Sequence, residues 1–378
     1  MTHPLAFNLN LSDLANDFLS SGAVSEVNQF LNSIGVSVAA TPTGNNLGVN
    51  ITIDNPDLVS FLNNLTRYFE PSPRSTQLVV FGDSLSDTGN LFALTNKQAP
   101  PSPPYFNGRF SNGPIWVDYL APQLGLDANS VKDFAVGGAK TGRDNVGNAQ
   151  LDVKLLPGLL NEIDTYAATT PRGAKPNTVY VVWAGANDLL NISDPAAAPT
   201  VVKDAIANIT TAITRLANLG AENIIVPNSL DLGFTPASIR GGVAAQATAV
   251  STAFNQSLNQ TLTHLEQSLH INVTELDLFT LSRRVFAAPE EFGFTNITDP
   301  LIEQVNPTNP SGYFWWDTVH PTTQVHQIVA NAFNAVIGQP VANGSTKSSL
   351  SSSDLQPFKS PLTVADSLKV VSDPALKV

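Results

Sequence analysis

Leu78-Val79-Val80-Phe81-Gly82-Asp83-Ser84-Leu85-Ser86-Asp87-Thr88-Gly89-Asn90 is the stretch on which the fold turns. Its first four residues form an unbroken apolar run, the mark of a short strand buried on both faces. Gly82 and Asp83 end that strand and turn the chain. Ser84 then stands at the carboxyl end of the strand, where open α/β sheets place their ligand crevice. A serine hydroxyl is a weak nucleophile at neutral pH and needs a base together with a group that orients the base. The candidates lie far along the chain, in Trp315-Trp316-Asp317-Thr318-Val319-His320-Pro321-Thr322. Alone, Gly82-Asp83-Ser84 reads more readily as a strand-ending turn, since short motifs recur by chance.

Working outward, strand and helix patterns alternate from Gln77 onward. Strands are expected at 78–81, 131–136, 178–183, 222–227 and 272–278. Helical spacing runs around 112–124, 150–168, 198–219 and 240–270, with a last helix at about 322–337. Such alternation specifies a parallel sheet with helices on both faces. The expected fold is α/β, a three-layer α/β/α sandwich around five parallel strands in flavodoxin-like order. Two loops break the rhythm. Ala99-Pro100-Pro101-Ser102-Pro103-Pro104-Tyr105-Phe106 is rich in proline, and the segment 287–316 carries Phe292, Phe294, Tyr313, Phe314, Trp315 and Trp316. Both are placed to wall an apolar acyl pocket, and the aromatics serve equally to pin the loops down.

The flanks differ from this core. Residues 1–74 are expected to form a small N-terminal α+β extension whose role is left open. In it, Val36 to Ala39 and Val49 to Ile53 alternate like strands, and a helix capped at Asp54 or Asn55 runs to Phe69. A lid over the site is one reading of that helix; a small packed domain is the plainer one. The main α/β domain is expected over 75–340. Residues 341–378, with Ser348-Ser349-Leu350-Ser351-Ser352-Ser353, read as a flexible tail.

Composition narrows the function. Among 378 residues 42% are apolar, enough for a sizeable core, and 13% are charged. A net charge of −12 without Lys/Arg clusters argues against nucleic acid as a partner. The absence of cysteine excludes disulfides and thiolate metal sites. It fits an exported protein, and many cytosolic ones. The first residues lack a basic and then apolar leader, so no secretory signal is read. The compartment stays open, with an extracellular or periplasmic place the first expectation. No apolar run reaches membrane-spanning length. No metal is expected, because His-x-x-x-His and Asp-rich calcium-loop spacings are both missing. His264, His270 and His326 are expected in surface or packing roles.

With its later blocks, the sequence resembles the GDSL, or SGNH, family of serine esterases and lipases, over about Gln77 to Gly338. The resemblance rests on Phe81 to Asn90, on Gly108-Arg109-Phe110-Ser111-Asn112-Gly113-Pro114-Ile115-Trp116-Val117-Asp118-Tyr119-Leu120, and on Asp133-Phe134-Ala135-Val136-Gly137-Gly138-Ala139. Gly185-Ala186-Asn187-Asp188 and Asp317-Thr318-Val319-His320-Pro321-Thr322 complete it. Five blocks in the family's order are far more specific than any one of them. The first two resemble the branch holding plant GDSL esterases and bacterial lecithinase- and haemolysin-type enzymes. Asp133 stands where the family commonly has Asn.

The resemblance implies Ser84 as nucleophile, His320 as base and Asp317 as the residue that orients it. It implies an oxyanion hole from the Ser84 N–H, the Gly138 N–H and the Asn187 amide, with a slip of one between Gly137 and Gly138 left open by the motif. Asp83, Asp87 and Asp188 are taken as braces for the surrounding loops. The implied reaction is hydrolysis of carboxylic esters, acyl or lipid esters in particular, through an acyl-enzyme and without a cofactor. Expected partners are a small-molecule or lipid ester and a transient membrane or micelle surface, with no obligate protein partner. Two alternatives remain: a deacetylase of acetylated polysaccharide on the same fold, and a non-catalytic binding module.

Overall fold

The computed structural model describes residues 36–43, 46–53, 76–151, 156–171, 173–175, 177–306 and 309–337. The chain divides into two compact units, Met1–Ser72 and Pro73–Val378. In the first, strands β1 (Val36–Thr43) and β2 (Asn46–Ile53) form an antiparallel hairpin. The helix expected to run to Phe69, and the tail 341–378, lie outside the described residues.

The second unit is built on five parallel strands: β3 (Gln77–Gly82), β4 (Val131–Asp133), β5 (Thr178–Trp183), β6 (Asn223–Pro227) and β7 (Asn272–Leu276). Their order across the sheet is β4-β3-β5-β6-β7, the flavodoxin-like arrangement that the alternation predicts. Side chains alternate between two cores, because successive strand residues point to opposite faces. Val79, Phe81, Tyr180, Val182, Ile224, Val226 and Val273 join one core. Leu78, Val80, Val179, Val181, Trp183, Ile225 and Leu276 join the other.

Six long helices cover these faces. Helix α1 is Trp116–Gln123, α2 Leu159–Thr169, α3 Ala198–Asn218, α4 Ala244–Leu269, α5 Leu278–Ala287 and α6 Thr323–Ile337. Helices α2, α3 and α4 bury residues in the first core. Helices α1, α5 and α6 bury theirs in the second. Each is amphipathic, and most of its stability comes from that buried stripe.

Several boundaries differ from expectation for local reasons. The strand expected at 131–136 ends at Asp133. Phe134 and Val136 still donate backbone N–H bonds to Val80 and Gly82. Between them the Ala135 N–H, on the open side of this edge strand, is taken by Asp133 Oδ1 at 2.9 Å. The last strand stops at Leu276, and the next residue, Asp277, caps α5 by accepting the Thr280 N–H at 3.0 Å. Helix α2 begins only at Leu159, after Pro157-Gly158, and α4 only at Ala244, after Gly241-Gly242. Both glycine-bearing turns stop helical periodicity earlier than the apolar spacing alone suggests. In the segment 287–316, Phe294, Phe314 and Trp315 are buried in the second core, so these aromatics pin the segment.

Candidate active site

The turn after β3 carries Ser84, and its geometry follows from Gly82 and two aspartates. Gly82 has φ +151° and lies so near β5 that a Cβ there would sit 2.1 Å from the Trp183 carbonyl oxygen. Asp83 Oδ1 accepts the Leu85 N–H at 3.0 Å, and the Asp83 carbonyl accepts the Ser86 and Asp87 N–H groups at 2.9 and 3.0 Å. Asp87 then gathers the next loop. It accepts from the backbone N–H of Gly89 (2.7 Å), Asn90 (2.5 Å), Leu91 (3.0 Å) and Gly137 (2.7 Å). Asp188 does the same for the following loop, taking the Thr141 N–H at 2.9 Å and its hydroxyl at 2.8 Å. These three carboxylates brace loops, the part expected of them.

Asp317 and His320 reach the same rim from the loop before α6. His320 Nε2 lies 2.8 Å from Ser84 Oγ, and His320 Nδ1 lies 2.7 Å from Asp317 Oδ2. The two residues come from one turn, in which Asp317 Oδ1 accepts the Val319 and His320 N–H groups at 2.8 and 2.7 Å. Burial would raise the Asp317 carboxyl, but the His320 imidazolium and these donors outweigh it and hold Asp317 to about 2. Burial would lower His320, and the Asp317 charge outweighs that and raises it.

The block 108–114 explains how this loop is held, a role the motif alone did not disclose. The Phe110 ring lies 4.9 Å from the His320 ring. The Ser111 hydroxyl donates to the Pro321 carbonyl at 3.0 Å. Asn112 Oδ1 accepts the Thr323 N–H at 2.9 Å, satisfying an open donor at the start of α6. Arg109 is itself fixed by Asp118, with Arg109 Nη2 2.8 Å from Asp118 Oδ1.

Of the three candidate oxyanion donors, the Ser84 and Gly138 N–H groups have no acceptor among the described residues. The Gly137 N–H does have one, Asp87, at 2.7 Å. Gly138 has φ +80°, and a Cβ there would meet Asn145 Oδ1 at 2.6 Å. Asn187 Nδ2 donates to the Ala139 carbonyl at 3.0 Å, tying it to the residue after Gly138 and leaving a second amide hydrogen. Ser84, Asn187 and His320 line one open depression, walled by Leu85, Leu190, Leu230, Leu232, Trp183 and Trp315.

Four carboxyl groups lie in and around the nucleophile turn, three of them, Asp83, Asp87 and Glu162, buried. Burial pushes Asp83 and Asp133 up to about 7, and raises Asp87 and, more strongly, Glu162. Glu162 accepts the Gly82 and Val136 N–H groups at 2.8 and 3.3 Å. Asp133, for its part, takes both the N–H (2.8 Å) and hydroxyl (2.6 Å) of Thr88. Elsewhere, His326 is buried in α6 with neither ring nitrogen bonded among the described residues, and burial lowers it to about 3. It packs, while His264 and His270 are exposed.

These shifts set the pH dependence of stability. The raised acids hold protons in the folded chain at pH values where the unfolded chain has released them, so stability falls as pH rises toward and past 7. His320, also raised, acts in the same direction. His326 acts oppositely, but only between about 3 and its ordinary 6.5. Above pH 6.5 all of these contributions have one sign. The thermal midpoint is therefore expected to drop by about 5 °C or more between pH 6.5 and 8.5. Calorimetry giving a flat or rising midpoint over that interval would contradict it.

A five-stranded wound sheet with serine, imidazole and carboxylate in hydrogen-bonded series on one rim has the equipment for nucleophilic acyl transfer. Residues 78–333 match the family model for GDSL-like lipase/acylhydrolase. A phosphatidylcholine-sterol acyltransferase from Aeromonas hydrophila is 28% identical over 67% of this chain and 88% of its own length. A thermolabile hemolysin from Vibrio parahaemolyticus is also 28% identical, over 67% of this chain but 62% of its own length. A GDSL esterase/lipase from Arabidopsis thaliana is 28% identical over 69% of this chain and 88% of its own. Among solved structures, an acetylxylan esterase from Geobacillus stearothermophilus is 17% identical, with a TM-score of 0.38 over 72% of this chain and 98% of that one. The chain belongs to the GDSL-like lipase/acylhydrolase family, and it is a carboxylic ester hydrolase.

Proposed function

We propose that this protein hydrolyses acyl esters, lipid esters in particular, by a two-step transfer through Ser84. His320 takes the Ser84 proton as the hydroxyl attacks the ester carbonyl, and it returns that proton to the leaving alkoxide. Water then attacks the acyl-enzyme with His320 again as base. Asp317 holds the imidazole with Nε2 facing Ser84. The N–H groups of Ser84 and Gly138 and the Asn187 amide receive the negative oxygen of each tetrahedral intermediate. Beyond the ester and one water, these steps draw on groups of the chain itself.

The observation that carries this reading is the unbroken contact series, 2.8 Å from Ser84 Oγ to His320 Nε2 and 2.7 Å from Nδ1 to Asp317. The lipid part is supported by the apolar wall of Leu85, Leu190, Leu230 and Leu232 beside Ser84. It also draws on the relative named a phosphatidylcholine-sterol acyltransferase. A fluorophosphonate probe should label Ser84 and no other residue. Labelling elsewhere, or none, would remove the acyl-enzyme. Rates on esters of increasing chain length, with and without micelles, should rise with chain length; a preference for acetyl esters would remove the lipid substrate.

Asn187 supplies the next test. Its contact with the substrate oxygen tightens only as charge develops there. Asn187→Ala should therefore lower kcat by about 10²-fold with KM little changed. A change confined to KM would mean that Asn187 only binds substrate.

A further inference from the structure

We infer that Tyr105 is a positioning residue for this reaction: its hydroxyl clamps the carboxylate that orients His320 and governs how strongly that carboxylate holds the imidazole. The inference rests on the proposed roles of Ser84, His320 and Asp317.

Tyr105 donates its hydroxyl to Asp317 Oδ2 at 2.7 Å, and the same oxygen lies 2.7 Å from His320 Nδ1. The other oxygen is filled by two backbone N–H groups. With four partners, the carboxylate has no freedom to turn. The Tyr105 ring is itself held. It packs edge-on against Trp316, at 5.8 Å, and against Phe110, at 6.1 Å. Because Phe110 also lies against His320, one aromatic cage grips both members of the pair.

Tyr105 reaches this place from the proline-rich loop, not from the sheet. That loop is pinned by the Tyr105 N–H to the Pro101 carbonyl (3.1 Å), the Phe106 N–H to the Ser111 carbonyl (2.9 Å) and the Gly108 N–H to Ser102 Oγ (2.9 Å). The loop expected to wall an acyl pocket thus delivers a hydroxyl to the far side of the His–Asp pair.

A donor on a carboxylate disperses its charge and makes it a weaker partner for an imidazolium. Without the Tyr105 hydroxyl, Asp317 would hold the His320 proton more tightly. The base would then become available only at higher pH. Other titratable groups face the pair: Asp83 from the nucleophile turn, Glu303 from the turn Leu301–Glu303, itself paired with Arg240, and His326 from α6. All of them stay in place when one hydroxyl is removed.

The test is Tyr105→Phe in the full chain, which keeps the ring and its packing. kcat should fall about tenfold with KM within about twofold, as for loss of an interaction that matters in the transition state. The acid limb of kcat/KM should move up by about half a pH unit. NMR titration of the His320 ring, one of five histidines in the chain, should show the same upward movement without needing turnover. A limb and ring titration that stay in place or move down would overturn the inference, whatever the loss of rate, because that is the result of packing alone. Wild-type kinetics would overturn it too. Ser84→Ala run in parallel separates the two readings. If it keeps its activity, the acyl-transfer scheme falls. If it is inactive while Tyr105→Phe shows no shift, only the role of Tyr105 falls.

Discussion

Ser84→Ala is expected to lose hydrolysis of p-nitrophenyl esters by about three to six orders of magnitude, with whatever rate remains coming from the oxyanion donors and binding. The hydroxyl is the atom that becomes bonded to the acyl group, so no neighbour can take its place by reorienting. Folding should survive. Ser84 Oγ has one hydrogen bond among the described residues, to His320, and the turn around it is held by Asp83 and Asp87 rather than by the serine. Losing a single partly buried hydrogen bond costs about 1 kcal/mol. Circular dichroism and the thermal midpoint should therefore stay close to wild type while the rate collapses. Retention of most of the activity would place the nucleophile elsewhere.

The opposite pattern is expected for Gly82→Ala. Here the damage is to the fold. An added Cβ would sit 2.1 Å from the Trp183 carbonyl oxygen and 3.0 Å from its carbon, in a backbone conformation with φ +151° that L-residues avoid. Neither strand can yield. Gly82 and Trp183 are paired in adjacent central strands, β3 and β5, and the Gly82 N–H is also bound by the buried Glu162. Strain and a backbone clash together should cost about 3–5 kcal/mol, and lower the thermal midpoint by about 10 °C or abolish soluble expression. A variant that melts like the wild type would show that the close approach of the strands is not needed.

The sheet was legible because its strands are buried on both faces, so each appears as an apolar run between turn residues, as in Leu78-Val79-Val80-Phe81 and Thr178-Val179-Tyr180-Val181-Val182-Trp183. The edge strand was less so, since it pairs on one side only and the Asp133 side chain turns back onto the Ala135 N–H, which no periodicity reveals. Ser84, Asp317 and His320 could be read from motif blocks and their order. Tyr105 could not, because its partner is 212 residues away and its loop carries proline punctuation rather than a pattern. The block 108–114 could be recognised but not explained, since its work is done on Pro321 and Thr323. For His326 a signal did exist. It falls among Val325, Ile328, Val329 and Phe333 on a face of α6 that is buried almost all round.

His320 meets Ser84 across 236 residues of chain, on a loop that leads directly into α6, whose first turn is bound by Asn112. During synthesis the nucleophile therefore leaves the ribosome long before its base. An incomplete chain has a serine but nothing to deprotonate it, so ester cleavage switches on only once the loop before α6 has docked, and any truncation that removes 317–337 should yield a silent protein.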